Sequence, residues 1–381
     1  MGLKPGYKQT EVGVIPEDWE TSFMASIADV RDGTHASPKY HKNGVPLVTS
    51  KNIVDGRVDF HEITLISEED AYEVNRRSRV DRDDILVSMI GTVGNVALVD
   101  FEPQFCIKNV ALIKPYKSKV EPRFLAQLLR SSRYGRYIDG KLDGGIQKFI
   151  SLGMLRSLIV PLGRTIAEQE DIAVALSDAD ALIESLEQLL AKKRNLKQGT
   201  MQELLRPKDG WVHKKLLNIA PLQRGFDLPN RQLENGRYPV VYSNGVLNHH
   251  KTFMVKGPGL VTGRSGTLGA VQFIEEDFWP HNTTLWVTDF KGNDPKFIYY
   301  FYTCIGLERF GTGSGVPTLN RNDVHDYSVS IPCDPKEQVF IATVLSDIDA
   351  EIATLETKLT KARQLKTGMM QELLTGRIRL V

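Results

Sequence analysis

The chain has 381 residues, too long for one compact domain of about 100–200 residues, so two or three units are expected. With 41% hydrophobic and 25% charged residues, wholesale disorder is excluded. No run approaches the roughly eighteen apolar residues of a membrane span, and Cys106, Cys304 and Cys333 are too few and scattered for a disulfide framework or a zinc knuckle. A net charge of +1 argues weakly against nucleic-acid binding, which needs clustered Lys and Arg. The opening Met1-Gly2-Leu3-Lys4-Pro5-Gly6 has no apolar signal core, and Gly6 stands where a myristoylation motif wants Ser or Thr. A soluble, cytoplasmic protein without a membrane partner is expected.

In chain order, residues 1–161 are a series of short β-branched runs broken by Gly, Asn and Asp. They carry a helical stretch from Pro122 to Tyr137 and close on Ser157-Leu158-Ile159-Val160-Pro161. That mixture predicts an α+β globule. Residues 162–206 contain no proline inside the helical pattern, are rich in Ala, Leu, Glu, Lys and Gln, and place apolar side chains at alternating steps of four and three: Ile172, Leu176, Ala179, Ile183, Leu186 and Leu190. The 3.5-residue period predicts a coiled-coil seam rather than the broader stripe of a globular surface helix. A second α+β globule, 207–333, has a helical stretch from Pro295 to Leu307 and closes on Tyr327-Ser328-Val329-Ser330-Ile331-Pro332. Residues 334–381 repeat the seam with Ile341, Leu345, Ile348, Ile352, Leu355, Leu359 and Ala362. At 1.5 Å per residue each helix would be roughly 60 Å long. Neither can bury its seam alone, and the obvious partner is the other copy.

The two helices are duplicates. Glu168 to Leu205 and Glu337 to Leu374 align at an offset of 169 without a gap, with 23 identities in 38 positions. The globules are weaker copies. Gly33-Thr34 through Val45-Pro46-Leu47-Val48 matches Gly225-Phe226 through Tyr238-Pro239-Val240-Val241, and Ile85 to Gly94 matches Leu260 to Gly269. Duplicated helices must fit each other, and a common partner twice. Diverged globules on one frame imply that each recognises something different.

Charge is uneven along the chain. Residues 1–104 hold 11 basic and 18 acidic residues, 105–157 hold 11 and 3, and 206–333 hold 14 and 11; segments 158–205 (5 and 8) and 334–381 (7 and 7) are acidic or neutral. The basic stretch interleaves Lys114, Lys117, Lys119, Arg123, Arg130, Arg133 and Arg136 with Tyr116, Phe124, Tyr134 and Tyr137, a composition suited to phosphates. Gly91-Thr92-Val93-Gly94 and Gly266-Thr267-Leu268-Gly269 lack the remaining residues of a phosphate loop, so tight turns with glycine at positive φ are expected. Gly140 to Gly145 and Gly311 to Gly315 read as loops. His249-His250 has no acidic or cysteine ligand at metal spacing and reads as a surface pair. Glu356-Thr357-Lys358 lies beside seam residue Leu355 as solvated flanks. No Pro-Pro dipeptide, Gly-x-Ser-x-Gly elbow or zincin motif occurs. The chain reads as non-catalytic, with no cofactor or metal site of its own.

The whole pattern resembles the specificity subunit of type I restriction–modification systems. The resemblance is carried by Gly13-Val14-Ile15-Pro16-Glu17-Asp18-Trp19 and its echo Pro207-Lys208-Asp209-Gly210-Trp211, and by the Glu168-Gln169 and Glu337-Gln338 helix starts. Both Met-Gln-Glu-Leu-Leu ends (Met201 to Leu205, Met370 to Leu374) and the terminal Leu374-Thr375-Gly376-Arg377-Ile378-Arg379-Leu380 complete it. It covers essentially the full length. It implies two target recognition domains, each reading one half of a bipartite, asymmetric double-stranded DNA target. The two helices would pair as an antiparallel coiled coil that sets the spacing and docks two modification subunits. Those subunits bind S-adenosylmethionine and methylate adenine, restriction subunits join the larger assembly, and ATP and Mg likewise belong to the partners. Because Arg206 to Trp211 echoes the N-terminus, the chain ends are expected to meet near one end of the coil.

The resemblance does not deliver base-contacting residues, since recognition domains vary with the sequence read. Chemistry supplies candidates, because Arg and Lys suit guanine edges and Asn and Gln suit adenine. In the first globule these are the loop residues Lys51, Asn52, Arg76, Arg77, Arg79 and Lys148. In the second they are Asn244, Lys251, Arg264, Ser265, Asn320 and Arg321. A tandem scaffold whose globules bind protein or peptide is the competing reading, and an enzyme with an unrecognised site is a third.

Overall fold

The computed structural model describes residues 5–141, 149–312 and 317–380. It divides into two units, Met1–Ser185 with Leu359–Val381, and Leu186–Lys358. Each unit takes one globule and half of each long helix.

In the first unit a four-stranded antiparallel sheet runs Val96–Leu98, Ile85–Ser88, Val110–Pro115, Ala28–Asp32. Every residue of Ile85–Ser88 is buried, because alternate side chains meet different clusters. Ile85 and Val87 face the core that holds Trp19, Phe124 and Leu125, while Leu86 faces Val48 and Ile53. A three-stranded sheet sets Val45–Val48 between Cys106–Ile107, its parallel neighbour, and antiparallel Thr64–Ile66. The second unit repeats this order: Leu222–Arg224, Thr284–Val287, Gly259–Gly263, Val271–Ile274 in one sheet. In the other, Tyr238–Tyr242 lies between parallel Trp279–Pro280 and antiparallel Gly245–His250. The closing runs also match: Ile159–Leu162 pairs with Glu20–Phe23, and Ser328–Ile331 with Val212–Lys215. One topology is built twice. The aligned glycines have the same cause in both copies, since a Cβ would lie 2.4 Å from the Ile107 carbonyl oxygen at Gly33 and 2.2 Å from that of His281 at Gly225.

The motifs shared by the two halves are the joints between globule and helix. Trp19 Nε1 donates to Glu168 Oε1 at 3.3 Å and Trp211 Nε1 to Glu337 Oε1 at 3.2 Å. The next residue reaches the other way. Gln169 accepts from the Glu121 amide at 3.0 Å and donates to the Gly163 carbonyl at 3.3 Å. Gln338 accepts from the Asp294 amide at 2.9 Å and donates to the Pro332 carbonyl at 2.9 Å. Glu121 and Asp294 are the N-caps of Pro122–Leu129 and Pro295–Ile305, each with proline in the first turn. In the first unit the two ends of the chain complete the joint: Tyr7 donates to the Gly376 and Arg377 carbonyls at 3.2 Å, and Arg379 pairs with Asp18 at 3.0 Å and with Glu168. The expected meeting of the chain ends is present.

Two expectations about helices need correction. Pro122 to Tyr137 is two helices, Pro122–Leu129 and Ser132–Lys141, parted where the Ser131 hydroxyl donates to the Leu128 carbonyl at 2.6 Å and caps the Tyr134 amide at 3.4 Å. Arg76 and Arg77, expected on a loop, lie on the helix Glu68–Ser78, and Arg79 is its C-cap. Ser67 caps that helix, with Glu68, Glu69 and Asp70 in its first turn and the arginines in its last, the charge order the helix dipole favours.

The long helices are Ile166–Leu204 and Pro335–Leu373, 39 residues each. They pair antiparallel. In the first unit, Ile172 and Leu176 share a core with Leu373 and Leu374, and Lys366 pairs with Asp180 at 2.5 Å. In the second, Ile341 and Leu345 share a core with Leu205. There Lys197 pairs with Asp349 at 2.6 Å, Arg194 with Glu356 at 2.6 Å, and Lys193 with Glu351. Ile172, Leu176, Leu190, Ile341, Leu345, Ile352 and Leu359 are buried, whereas Ile183, Leu186, Ile348 and Leu355 are half-buried. Ile172, Leu176, Ile341 and Leu345, near the start of each helix, are the seam residues that also join a globule's core. No described helix is long and apolar enough to cross a membrane.

The joints predict a graded response. Trp19 is fully buried while Trp211 is half-buried. Trp19→Phe, which removes a buried hydrogen bond to a carboxylate and leaves a void, is expected to cost about 2–4 kcal/mol, and Trp211→Phe about 1 kcal/mol. Denaturant unfolding checks the ranking; an equal or inverted loss would mean that the indole–carboxylate bonds do not hold the joints.

Candidate nucleic-acid interface

In the second unit, one end of the sheets gathers several chosen residues. Asn244 lies in the turn between Tyr238–Tyr242 and Gly245–His250. Arg264 and Ser265 follow Gly259–Gly263 and donate their backbone amides to the Thr283 carbonyl at 2.9 and 3.2 Å. The expected tight turn comes next, with Gly266 at φ +81° and Gly269 at φ +70°. It lies against the hairpin turn, since a Cβ on Gly266 would stand 3.4 Å from Ser243 Oγ. The Arg264 carbonyl accepts from the Leu319 amide at 2.8 Å, which brings in Asn320, N-cap of Arg321–Asp326, with its side chain on the Asn322 amide at 3.0 Å. Asn244, Asn320 and Arg321 are exposed, and Arg264 and Ser265 half-buried. Lys251 is not among them: it follows the far end of the six-residue Gly245–His250 strand, about 20 Å from Asn244, and pairs with Glu234 at 3.3 Å. His249 and His250 occupy adjacent positions of that strand, so they face opposite ways. His250 packs at 5.1 Å from the Trp279 ring while His249 is exposed.

The first unit assembles the same corner from different residues. Lys51 is exposed on the Ser50–Asn52 turn that follows Val45–Val48. Asn52 is 5% exposed, and its amide is spent internally: Oδ1 accepts from the Thr49 amide and hydroxyl at 3.0 and 2.9 Å, and Nδ2 donates to the Asp59 carbonyl at 3.1 Å. It holds the turn that presents Lys51 and is not free to read a base. Thr92, between Gly91 at φ +77° and Gly94 at φ +86°, donates to the Ser50 carbonyl at 3.2 Å. Ser50 in turn donates to the Asn109 carbonyl at 3.1 Å. Arg77 reaches this corner through the Asp32 carboxylate. Arg76 pairs with Glu73 at 3.0 Å and Arg79 with Asp81 at 3.2 Å, both at the surface; such pairs contribute about 0–1 kcal/mol, so nucleic acid could displace them. Lys148 lies outside the described residues.

Sequence reasoning missed His35, Lys108 and Asn109 in the first unit and Asn282 and Thr283 in the second. His35 Nδ1 lies 2.8 Å from Asn109 Oδ1 and Nε2 2.8 Å from Asp32 Oδ2. The Asn109 and Asp32 bonds raise the His35 value above 6.5, outweighing burial. Asp32 is held below the ordinary carboxylate value because bonds from His35 and Arg77 outweigh the opposing effect of its burial. Both ring nitrogens thus face oxygens, an arrangement that favours the charged form of the ring. Lys108 donates to Ser37 at 3.0 Å. Lys108 and Asn109, and Asn282 and Thr283, follow the parallel strands Cys106–Ile107 and Trp279–Pro280, two residues each and too short for a periodic signal. The aligned Gly33 and Gly225, which touch them, were the available clue.

The basic stretch 105–157 is not the free patch its charge predicts. Lys114 pairs with Asp84 at 2.5 Å and Asp81 at 2.9 Å, Lys117 with Asp83 at 2.5 Å, Arg123 with Glu121 at 3.0 Å and Arg130 with Asp180 at 3.2 Å. Phe124 and Tyr134 are core residues. Two of its lysines thus meet carboxylates of the acidic first hundred residues, and two of its arginines meet Glu121 and Asp180.

The family model for the type I restriction modification DNA specificity domain matches residues 16–192 and again 208–364. A protein named as a candidate MjaX type I restriction enzyme specificity subunit of Methanocaldococcus jannaschii is 27% identical, over 98% of this chain and 97% of its own length. The EcoBI specificity subunit of Escherichia coli is 28% identical over 51% of this chain and 42% of its own. Among solved structures, the S subunit of a type I restriction–modification system from M. genitalium superposes with a TM-score of 0.68 at 16% identity, covering 97% of this chain and 99% of that one. With two matched repeats over most of its length, the chain belongs to the type I restriction–modification DNA specificity family.

Proposed function

We propose that each unit reads one half of a bipartite, asymmetric DNA target, and that the paired helices set the distance between the halves. The observation that supports this best is one topology built twice with unlike residues at the same corner: Lys51, His35, Lys108 and Asn109 in one unit, Asn244, Arg264, Ser265, Asn320 and Arg321 in the other. A common frame with different hydrogen-bonding edges is what two half-sites require. The half-sites would lie about one helical turn (~34 Å) or more apart. The chain would do no chemistry itself. Two modification subunits dock on the coil, carry S-adenosylmethionine and methylate adenine, and restriction subunits with ATP and Mg join them in the cytoplasm. Leu196 and Leu365 support a partner bound twice. They are equivalent at the offset of 169, one in each unit, and 51% and 62% exposed.

A salt titration tests DNA reading. The logarithm of the binding constant should fall with the logarithm of salt by about 0.9 per phosphate contact; a slope near zero excludes phosphate neutralisation and favours the protein-binding scaffold. Titration of pH at constant ionic strength tests the first corner. A raised value keeps His35 charged below it, so DNA affinity should drop as pH climbs above 6.5 and through that value, and His35→Gln should flatten the profile. An unchanged profile in that variant removes His35 from the interface.

A further inference from the structure

A lysine interrupts one and the same row of the apolar seam in each long helix. Heptads through Leu176, Ile183 and Leu190 continue to Lys197 and then Leu204; those through Leu345, Ile352 and Leu359 continue to Lys366 and then Leu373. Both are seam positions of the kind labelled a, where a single polar side chain selects register at a cost in stability. The two side chains are 24% and 12% exposed. Each finds an aspartate on the other helix: Lys197 Nζ is 2.6 Å from Asp349 Oδ1, and Lys366 Nζ 2.5 Å from Asp180 Oδ1. Asp180 and Asp349 are equivalent at the offset of 169, as are Lys197 and Lys366. One contact is therefore made twice, once within each unit. Each globule also reaches it. Gln127 and Arg130 donate to Asp180 at 2.8 and 3.2 Å, and the Tyr300 hydroxyl donates to Asp349 at 2.8 Å.

A partly buried ion pair contributes little net stability, because desolvation offsets attraction, but an unpaired buried charge is costly. Its effect is to separate registers. Sliding one helix by a heptad, about 10 Å, would keep the apolar rows meshed. It would also set Leu359 or Leu373 where Lys366 stands, and Leu190 or Leu204 where Lys197 stands. The two aspartates would then face leucine in either direction, while the lysines would face Ala342 and Ala173 in the slip that lengthens the overlap of the helices and Glu356 and Glu187 in the slip that shortens it. The leucine rows alone tolerate both slips, and the ion pairs oppose the one that lengthens the overlap.

We infer that the Lys197–Asp349 and Lys366–Asp180 pairs are the register key of the coil, the positioning residues that fix which separation of DNA half-sites is accepted. The inference rests on the ruler reading above. A one-heptad slip corresponds to about three base-pair steps of 3.4 Å, so the key would reject targets whose halves are that much closer together.

The test uses the full chain assembled with its modification subunits, methylating duplexes that carry the mapped half-sites at the natural spacer and at spacers changed by up to about four base pairs. In K197L/K366L/D180N/D349N the asparagines keep partners for Gln127 and Tyr300 while that row of the seam becomes apolar. This variant should keep the parent's thermal midpoint, yet its preference for the natural spacer over one shorter by three base pairs should fall about tenfold or more. A folded variant with the parent's spacer preference overturns the inference. K197D, which sets a carboxylate against that of Asp349, should lose spacer preference or folding, and K197D/D349K should restore what it lost; failure of the swap to restore it also overturns the inference. A parent complex indifferent to spacer length would instead defeat the ruler reading itself.

Discussion

A narrow apolar seam on a 39-residue helix leaves too little buried surface to hold the helix in water alone, and everything else in the molecule depends on how that seam is covered. The partner is the duplicate helix, running antiparallel. Near the start of each helix the globule joins the cover, so Ile172 and Leu176 lie in the core of Trp19 and Phe124, and Ile341 and Leu345 in the core of Phe297 and Tyr300. The globules are therefore not beads tied to a rod. Each is completed by half of both helices.

The joint chemistry is the same in both units because it is geometric. A tryptophan holds the first glutamate, and the following glutamine holds the N-cap of the helix that packs against the coil. Such buried, reciprocal hydrogen bonds resist substitution, because removing one partner leaves the other desolvated and unpaired. The corner at the end of the sheets carries no such constraint. Its backbone is fixed by glycine turns and carbonyl contacts, and the exposed Lys51, Asn244 and Arg321 side chains stand on that frame. A scaffold that is rigid in its joints and permissive at its tips is what a reader of changing sequences needs.

The coil was legible in the sequence because the same 3.5-residue period recurs in two copies, and the glycine turns were legible because both copies place glycines at the same positions, which take positive φ. Other features were not. The helix Glu68–Ser78 buries little beyond Ala71, so it has no apolar stripe to read, only its cap and its charge order. The basic stretch 105–157 misled because charge summed along a chain is not charge gathered in space; Asp81, Asp83 and Asp84 stand opposite it. Asn52 has the right chemistry for adenine but is consumed in holding its own turn. His35 and Asn109 come together only when a two-residue parallel strand passes Gly33. The lysines of the seam stand in plain view in the sequence, yet their meaning depends on aspartates about 150–190 residues away.

Methylated-base mapping in cells that carry this chain with its modification subunits is the most direct test, performed before and after residues 212–333 are exchanged for the second globule of a relative. Two independent readers on one spacer require that one half of the modified sequence changes while the other half and the gap between them stay the same. A motif that changed in both halves, or in neither, would contradict them.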